Sequence, residues 1–262
     1  MGEQFFGQNY FDQFKPDFDI KIDSDGVCLV KYNGNDEKVV VPDGVTKIAG
    51  AAFSDCGNLK IIELPSGLEE IGEVAFRNNG FEHITIPNSV KTIKHHAFAG
   101  CENLKTAELP IGLKKIDDAV FIGCKNLKTI ELPSGLEEIG KMAFDDCGLE
   151  HITLHKGVKR IDWLAFAECE NLKSVTIQNS ALEMEWGVFS ECYYLEDVYV
   201  PSDFPYSDTS SIWEGANIIR VNSQNMPESK STKEELDRLR NSLRRISTVD
   251  MQLDENETSK KR

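Results

Sequence analysis

The sequence predicts a mainly β fold: a solenoid of about seven stacked repeats of 22–23 residues, preceded by a hairpin and followed by a short helix. Three observations lead there. The pairs Ala52-Phe53, Ala75-Phe76, Ala97-Phe98, Val120-Phe121, Ala143-Phe144, Ala165-Phe166 and Val188-Phe189 recur at spacings of 23, 22, 23, 23, 22 and 23 residues, and a fixed period in this range marks stacked supersecondary units. Each echo shares its unit with a stretch patterned Leu-x-x-Ile-x-Leu, as in Leu59/Ile62/Leu64 and Leu172/Val175/Ile177. Its alternation at the end predicts a short strand with one face inward. Six of the seven cysteines, Cys56, Cys101, Cys124, Cys147, Cys169 and Cys192, fall three residues after the repeat Phe. One unit alone buries too little to offset the ordering of its backbone, so the units must stack and share their strands' hydrogen bonds.

Taken in order, residues 1–17 form an aromatic leader containing Phe5, Phe6, Tyr10, Phe11 and Phe14. It either packs over the first repeat or serves as a docking peptide. Residues 18–44 read as a capping hairpin, with Asp23-Ser24-Asp25-Gly26 turning between Ile20 to Ile22 and Val27 to Val30. Residues 45–201 are the repeats. The two 22-residue spacings each lose one residue between the cysteine position and the next Leu or Phe, in 79–81 and 147–149, and loss at a turn is expected to leave the strands in register. Residues 202–222 form a C-terminal cap with Phe204, Trp213 and 218–221 closing the core. In 223–262, a linker precedes a helix over 232–246, opened by the capping box Thr232/Glu235 and striped by Leu236, Leu239, Leu243 and Ile246. Disorder is expected after it.

The string Pro-Ser-Gly-Leu-x-x-Ile-Gly-x-x-Ala-Phe-x-x-Cys-x-Asn-Leu-x-x-Ile-x-Leu-Pro resembles the BspA-like class of leucine-rich repeats, and the likeness covers residues 39–201. Residues 18–44 resemble the hairpin that caps such arrays. The resemblance implies a right-handed arc with the Leu-x-x-Ile-x-Leu strands on its concave face, and adhesion or interaction rather than catalysis. It also implies that many relatives are secreted or surface-bound.

The net charge of −15 is unevenly placed: residues 1–222 hold 20 Lys/Arg against 36 Asp/Glu, and 223–262 hold 9 against 8. An anionic body repels phosphate backbones and anionic lipid heads, which disfavours nucleic acid and membrane partners. Met1 to Phe14 carries neither a basic residue nor a continuous apolar stretch, so it does not read as a secretory signal. A cytoplasmic protein is expected. A secreted or cell-surface protein is the alternative if a leader has been removed.

Catalytic and metal readings are weak. Phased cysteines give a ladder of like positions, read as buried, reduced apolar residues rather than a Cys-x-x-Cys metal site. His151 and His155 lie four strand residues apart, about 13 Å at strand rise, too far for one ion at about 2 Å. Asp23 to Gly26 resembles a calcium loop only faintly, since Lys21 stands at the first ligand position and Tyr32 at the bidentate one. No catalytic residue, metal or cofactor is therefore expected. Glu69-Glu70, Lys91-Thr92, Lys114-Lys115, Glu137-Glu138 and Lys159-Arg160 occupy equivalent positions, so opposite charges should meet across rungs. The outward row beside the inward Ile positions is polar and completes no core. His83, Thr85, Thr106, Glu108, Thr129, Glu131, His151, Thr153, Ser174, Thr176 and Tyr199 are the residues expected to contact a protein partner. The chain is expected to be a monomer, or a weak homodimer paired through the 232–246 helix.

Overall fold

The computed structural model describes residues 8–14, 17–205 and 215–222. Phe5, Phe6, Trp213, the 232–246 helix and the tail lie outside the described residues. A single turn of helix, Gln8–Phe11, leads through the short 3-10 segment Asp12–Phe14 into an antiparallel hairpin of β1 (Phe18–Asp23) and β2 (Gly26–Tyr32). The Asp25 amide donates to Asp23 Oδ1 over 2.9 Å, closing the expected turn. Phe11 is buried in the core, and the Tyr10 ring meets Phe11 and Phe14 edge-on. The described part of the leader thus packs on the first rung.

From there the chain winds through two rows of short strands. The first row holds β3 (Lys38–Val40), β5 (Ile61–Glu63), β7 (His83–Thr85), β9 (Thr106–Glu108), β12 (His151–Leu154), β14 (Ser174–Ile177), β16 (Asp197–Pro201) and β17 (Asn217–Val221). The second holds β4 (Lys47–Ile48), β6 (Glu70–Ile71), β8 (Thr92–Ile93), β10 (Lys115–Ile116), β11 (Glu138–Ile139), β13 (Arg160–Ile161) and β15 (Glu183–Met184). All pairing within the rows is parallel, as a solenoid requires. The inward position of the first row is filled by Val39, Ile62, Ile84, Ala107, Ile130, Ile152, Val175 and Val198, all buried. Between the rows runs a tight turn in which, for example, the Leu68 and Leu136 amides donate to Pro65 and Pro133 carbonyls. In the following rung His155 replaces the proline. Its Nε2–H donates to the Pro133 carbonyl at 2.6 Å while Nδ1 accepts from the Gly157 amide at 3.1 Å.

The repeat Phe sits on the turn after the second-row strand. Adjacent parallel strands lie about 4.8 Å apart, which forces the rings of successive rungs into a stack. Centroids from Phe53 through Phe189 are 5.1–5.5 Å apart with planes within 6–19°. Such spacing exceeds face contact, so the rings are offset, the favourable arrangement for like quadrupoles. Tyr32 extends the stack by one ring, 5.3 Å from Phe53. The solenoid therefore has about eight turns, one more than the seven Phe echoes, because a tyrosine in β2 fills the first aromatic place. Its hydroxyl reaches the surface and donates to Asp36 Oδ2 at 2.8 Å.

Backbone bonding along this turn continues from end to end. In each rung the amides two residues before the Phe, at the Phe and two after it donate to the next rung, as for Ala119 to Lys141, Phe121 to Ala143 and Gly123 to Asp145. The conformation needs positive φ on both sides of the Phe, borne by non-glycine residues such as Val74 (50°), Met142 (53°) and Glu168 (53°). Left-handed backbone costs an L-residue on the order of 1 kcal/mol, so stacking and ladder bonds hold these turns against their own preference.

The strand rows are less continuous. The shortened turns are absorbed by glycine: a Cβ on Gly80 would collide with the Gly57 carbonyl oxygen, and one on Gly148 with that of Lys125. One residue fewer also shortens the chain's reach into the next strand. First-row strand pairing lapses between β5 and β7 and just before β12. Yet across the second shortened turn the Glu150 amide still donates to Lys128 O at 3.0 Å, the same repeat positions that Lys173 and Glu150 join one rung on, so the expected register is kept there. Thr129 to Glu131, expected to be a strand, is not one. This segment adjoins Ala107, whose single methyl contributes less burial than the Ile or Val of the other rungs. In the second row pairing lapses between β8 and β10. At every one of these steps the aromatic turn bridges the gap, with Phe76 bonded to Ala97, Phe98 to Val120, Phe121 to Ala143 and Phe144 to Ala165.

Phe121 is fully buried between Phe98 and Phe144, so Phe121→Ala should cost about 3–5 kcal/mol. Denaturant unfolding of the variant measures this, and a cost below about 1 kcal/mol would show that the stack is not what holds the middle rungs.

Candidate interaction surface

Alternation along the first-row strands sends one residue inward and its two neighbours outward. Register then groups the outward candidates. His83 pairs with Thr106 and Thr85 with Glu108; farther along, His151 pairs with Ser174 and that with Asp197, while Thr153 pairs with Thr176 and that with Tyr199. Thr129 and Glu131 lie between the groups, outside any strand. Thr85, Glu131 and His151 are exposed; His83, Glu108, Thr129, Thr153, Ser174 and Tyr199 are half-buried. Two candidates do not reach the surface. Thr106 and Thr176 are each 6% exposed, and a threonine held between outward neighbours on adjacent rungs offers a partner almost no side-chain area.

Histidine meets a hydroxyl twice on this surface. His83 Nδ1 lies 2.8 Å from Thr106 Oγ1, and His151 Nδ1 lies 2.8 Å from Ser174 Oγ. Burial lowers the His83 pKa, opposed by the Glu82 carboxylate 4.0 Å from Nε2. The ring and the Thr106 hydroxyl share one hydrogen bond through Nδ1, whose direction the tautomer sets. A base beside a hydroxyl is the start of a nucleophilic pair, but the pair also needs a third group orienting the base. Asp197 stands on the strand beyond Ser174, on the serine's far side rather than the histidine's. Thr106 is too buried to be reached by a substrate. Tyr199 closes the row, its phenol pushed above its usual pKa by burial first and by Asp197 second, and its hydroxyl donates to Asp197 Oδ2 at 3.4 Å. Among the described residues, no group of three or more His, Cys, Asp or Glu is placed to hold a metal ion.

The cysteine ladder has a bonding role that spacing alone did not disclose. Cys101, Cys124, Cys147, Cys169 and Cys192 each direct the thiol at a Phe carbonyl of the preceding rung, as Cys124 to Phe98 at 3.3 Å and Cys147 to Phe121 at 3.1 Å. Asn79, in the one rung without the cysteine, donates Nδ2–H to Phe53 O at 2.9 Å and so does the same task. Burial raises the thiol pKa values of Cys124 and Cys147, and that of Cys101 to about 12. Cys28 and Cys56 are half-buried, because each lies near the hairpin end rather than between two complete rungs.

Charge pairing across rungs occurs where expected: Glu69 meets Lys91 at 2.9 Å, and Glu137 meets Lys159 at 2.6 Å and Lys114 at 3.3 Å. The two lysines hold Glu137 below its usual pKa, Lys159 the more strongly. On the aromatic turn the pattern reverses. Asp145 is raised to about 6, by burial first and then by Glu168 and Asp146, and its Oδ1 is buried without a hydrogen-bond partner.

Six copies of the BspA type leucine rich repeat region match residues 31–122 and 104–219, and the chain belongs to that family. A leucine rich repeat protein of T. pallidum is similar at 24% identity and TM-score 0.53, over 79% of this chain and 98% of its own. One from Bacteroides ovatus is similar at 23% identity and TM-score 0.48, over 76% and 67%. A leucine rich cell surface protein from Faecalibacterium prausnitzii is similar at 18% identity and TM-score 0.43, over 79% and 93%. No curated protein matches the chain. Among the described residues, no helix is long and apolar enough to cross a membrane.

Asp145 gives a pH test. Its folded pKa lies above the usual 3.8, so ionisation weighs against the fold above about pH 6 and protonation relieves it on acidification. Two units correspond to about 3 kcal/mol, which solvent screening at this half-exposed site reduces to about 1 kcal/mol. Asp145→Asn should raise stability by that amount at pH 7, with the gain vanishing toward pH 4. His83, lowered by burial, works in the opposite sense in the same window, so the difference between variant and parent is the quantity to follow by thermal unfolding. A gain that does not depend on pH would remove the ionisation argument.

Proposed function

We propose that this chain is a non-enzymatic interaction scaffold that holds a partner protein on the outward face of the first strand row, the face that the family likeness makes concave. The observation that carries the reading is the row itself. Thr85, Glu108, Glu131, His151, Thr153, Ser174 and Tyr199 stand half-buried or exposed beside an inward row of aliphatic side chains that already completes the core. Polar side chains spaced by strand separation on a rigid support keep a fixed pattern of donors, acceptors and charge, which lowers the ordering cost of binding. His83 contributes through its Nε2 edge, and Thr106 and Thr176 support the surface from beneath.

Glu108→Arg with Glu131→Arg reverses charge in the middle of this row. Pull-down from the native cell should lose the partner with the fold retained; the exposed Glu131 change should shift stability within about 0.5 kcal/mol, and the melting curve of the variant checks the half-buried Glu108 change. Unaltered recovery would move binding off the central row.

The thiol ladder bears on the compartment. Each buried S–H supplies a second donor to a Phe carbonyl that also accepts an amide of its own rung, as Phe121 O does from the Cys124 amide, and oxidising two neighbours would remove both thiol hydrogen bonds. We therefore place the protein in the reducing cytoplasm. The alternative, an exported or cell-surface adhesin of the same fold, accords with the habit of the family. Alkylation of the denatured native protein without reductant should label all seven cysteines. Loss of labels in pairs would favour the exported reading.

A further inference from the structure

Three residues before each repeat Phe, the chain carries Gly50, Glu73, His95, Asp118, Lys141, Trp163 and Trp186 on successive rungs. Neighbours in this column interact along it. His95 Nε2 lies 2.8 Å from Glu73 Oε1, and the Lys141 ammonium lies 4.0 Å from the centre of the Trp163 ring. The last two rungs present indoles instead of charges. Trp163 is 47% exposed and Trp186 is 74% exposed, although tryptophan on a folded surface is normally covered over most of its area. Backbone bonds fix both sites: the Met142 amide donates to Trp163 O at 3.2 Å and the Leu164 amide to Trp186 O at 3.4 Å. The indoles thus stand on adjacent rungs of the most continuously bonded part of the solenoid.

The surroundings are anionic. Glu183 and Glu185 are exposed on the same rung as Trp186, and the nearby cation Arg160 is shared between Asp162 at 2.8 Å and Glu185 at 3.3 Å. Residues 1–222 as a whole hold 36 acidic against 20 basic side chains. Trp163 already shows what such a ring does here, since it holds a lysine of the same chain against its ring. We propose that Trp163 and Trp186 form a second docking surface, separate from the strand row, for a lysine- or arginine-rich segment of a partner protein. A cation over the indole face gains from the ring quadrupole, and the exposed Glu183 holds a neighbouring cation of the same segment. Arginine adds planar stacking on the indole. Earlier rungs lack the surface because Glu73, His95 and Asp118 occupy the equivalent places.

The test uses the full chain and a fluorescent octalysine peptide, with affinity read by anisotropy. Trp163→Ala with Trp186→Ala should weaken binding at least tenfold, Trp186→Phe alone should retain most of it, and acetylating every lysine of the peptide should abolish it. The Glu108→Arg/Glu131→Arg variant should bind the peptide within about threefold of the parent, since those residues lie on the other surface. Unchanged affinity after removing both indoles overturns the proposal, because the peptide then reads only diffuse charge. Equal binding of the acetylated peptide also overturns it, because the indoles then serve as an apolar or stacking surface for an uncharged ligand. Loss in the strand-row variant alone overturns it while leaving the strand-row reading intact. Circular dichroism of each variant separates these outcomes from loss of fold.

Discussion

The stack of eight aromatic rings sets the geometry on which the remaining structure depends. Parallel pairing fixes the rise between rungs at about 4.8 Å, and a planar side chain is the shape that fills such a rise without leaving voids or forcing the rungs apart. Phe also faces a backbone that visits positive φ two residues to either side. That cost is offset because three amides of every turn find carbonyls in the next rung. The thiols complete the same device from the following corner, covering the Phe carbonyl from one rung above. Ring, ladder and thiol are therefore one unit, and this explains why Asn79 works in a cysteine's place: what the site requires is a small donor at that point, not sulfur. The exchange is imperfect, since Asn79 Oδ1 is left buried without a partner.

Because the aromatic turn carries continuity, the strand rows are free to vary. Pairing lapses near the shortened turns and beside Ala107, yet the rungs stay stacked. In a nearest-neighbour solid of this kind each interface must hold by itself, and a lapse in one row is tolerable only where another contact spans the same step. Gly80 and Gly148 show the limit of that freedom: the shorter connection brings backbone onto backbone, and any side chain there would collide with a carbonyl of the previous rung.

Much of this was legible in the sequence because periodicity reports burial directly. The Phe phase, the inward Ile and Leu positions and the charge pairs of Glu69, Lys91, Glu137 and Lys159 all follow from repeat position. Four features were not legible that way. Tyr32 broke the Ala-Phe echo while keeping its place in the stack. Thr106 and Thr176 occupy outward positions but are covered by their neighbours, and an alternating pattern gives the direction of a side chain without the height of what surrounds it. The donor role of the cysteines needed the position of the Phe carbonyl in the preceding rung. The strand lapse at 129–131 depends on cumulative geometry that no single repeat contains. The indoles at 163 and 186 were visible as letters, and aligning the column three residues before each Phe was the signal that sets them apart.

The two proposed surfaces differ in how they distribute charge, and this bears on how the proposed scaffold would handle its partners. Along the strand row, polar groups are partly spent on each other: His83 with Thr106, His151 with Ser174, and Tyr199 with Asp197. A partner there must match a pattern already fixed by internal bonds, which favours selectivity over attraction. On the aromatic turn, the basic side chains near the indoles are the ones already engaged, Arg160 by two carboxylates and Lys141 by Trp163, while Glu183 stays exposed. Uncompensated anionic surface raises encounter rates with cationic segments and is screened by salt, whereas an indole contact is short-ranged and much less so. On the two proposed readings, a solenoid with both arrangements on one rigid support would draw a basic segment in at its aromatic turn and read a more exact surface on its strands.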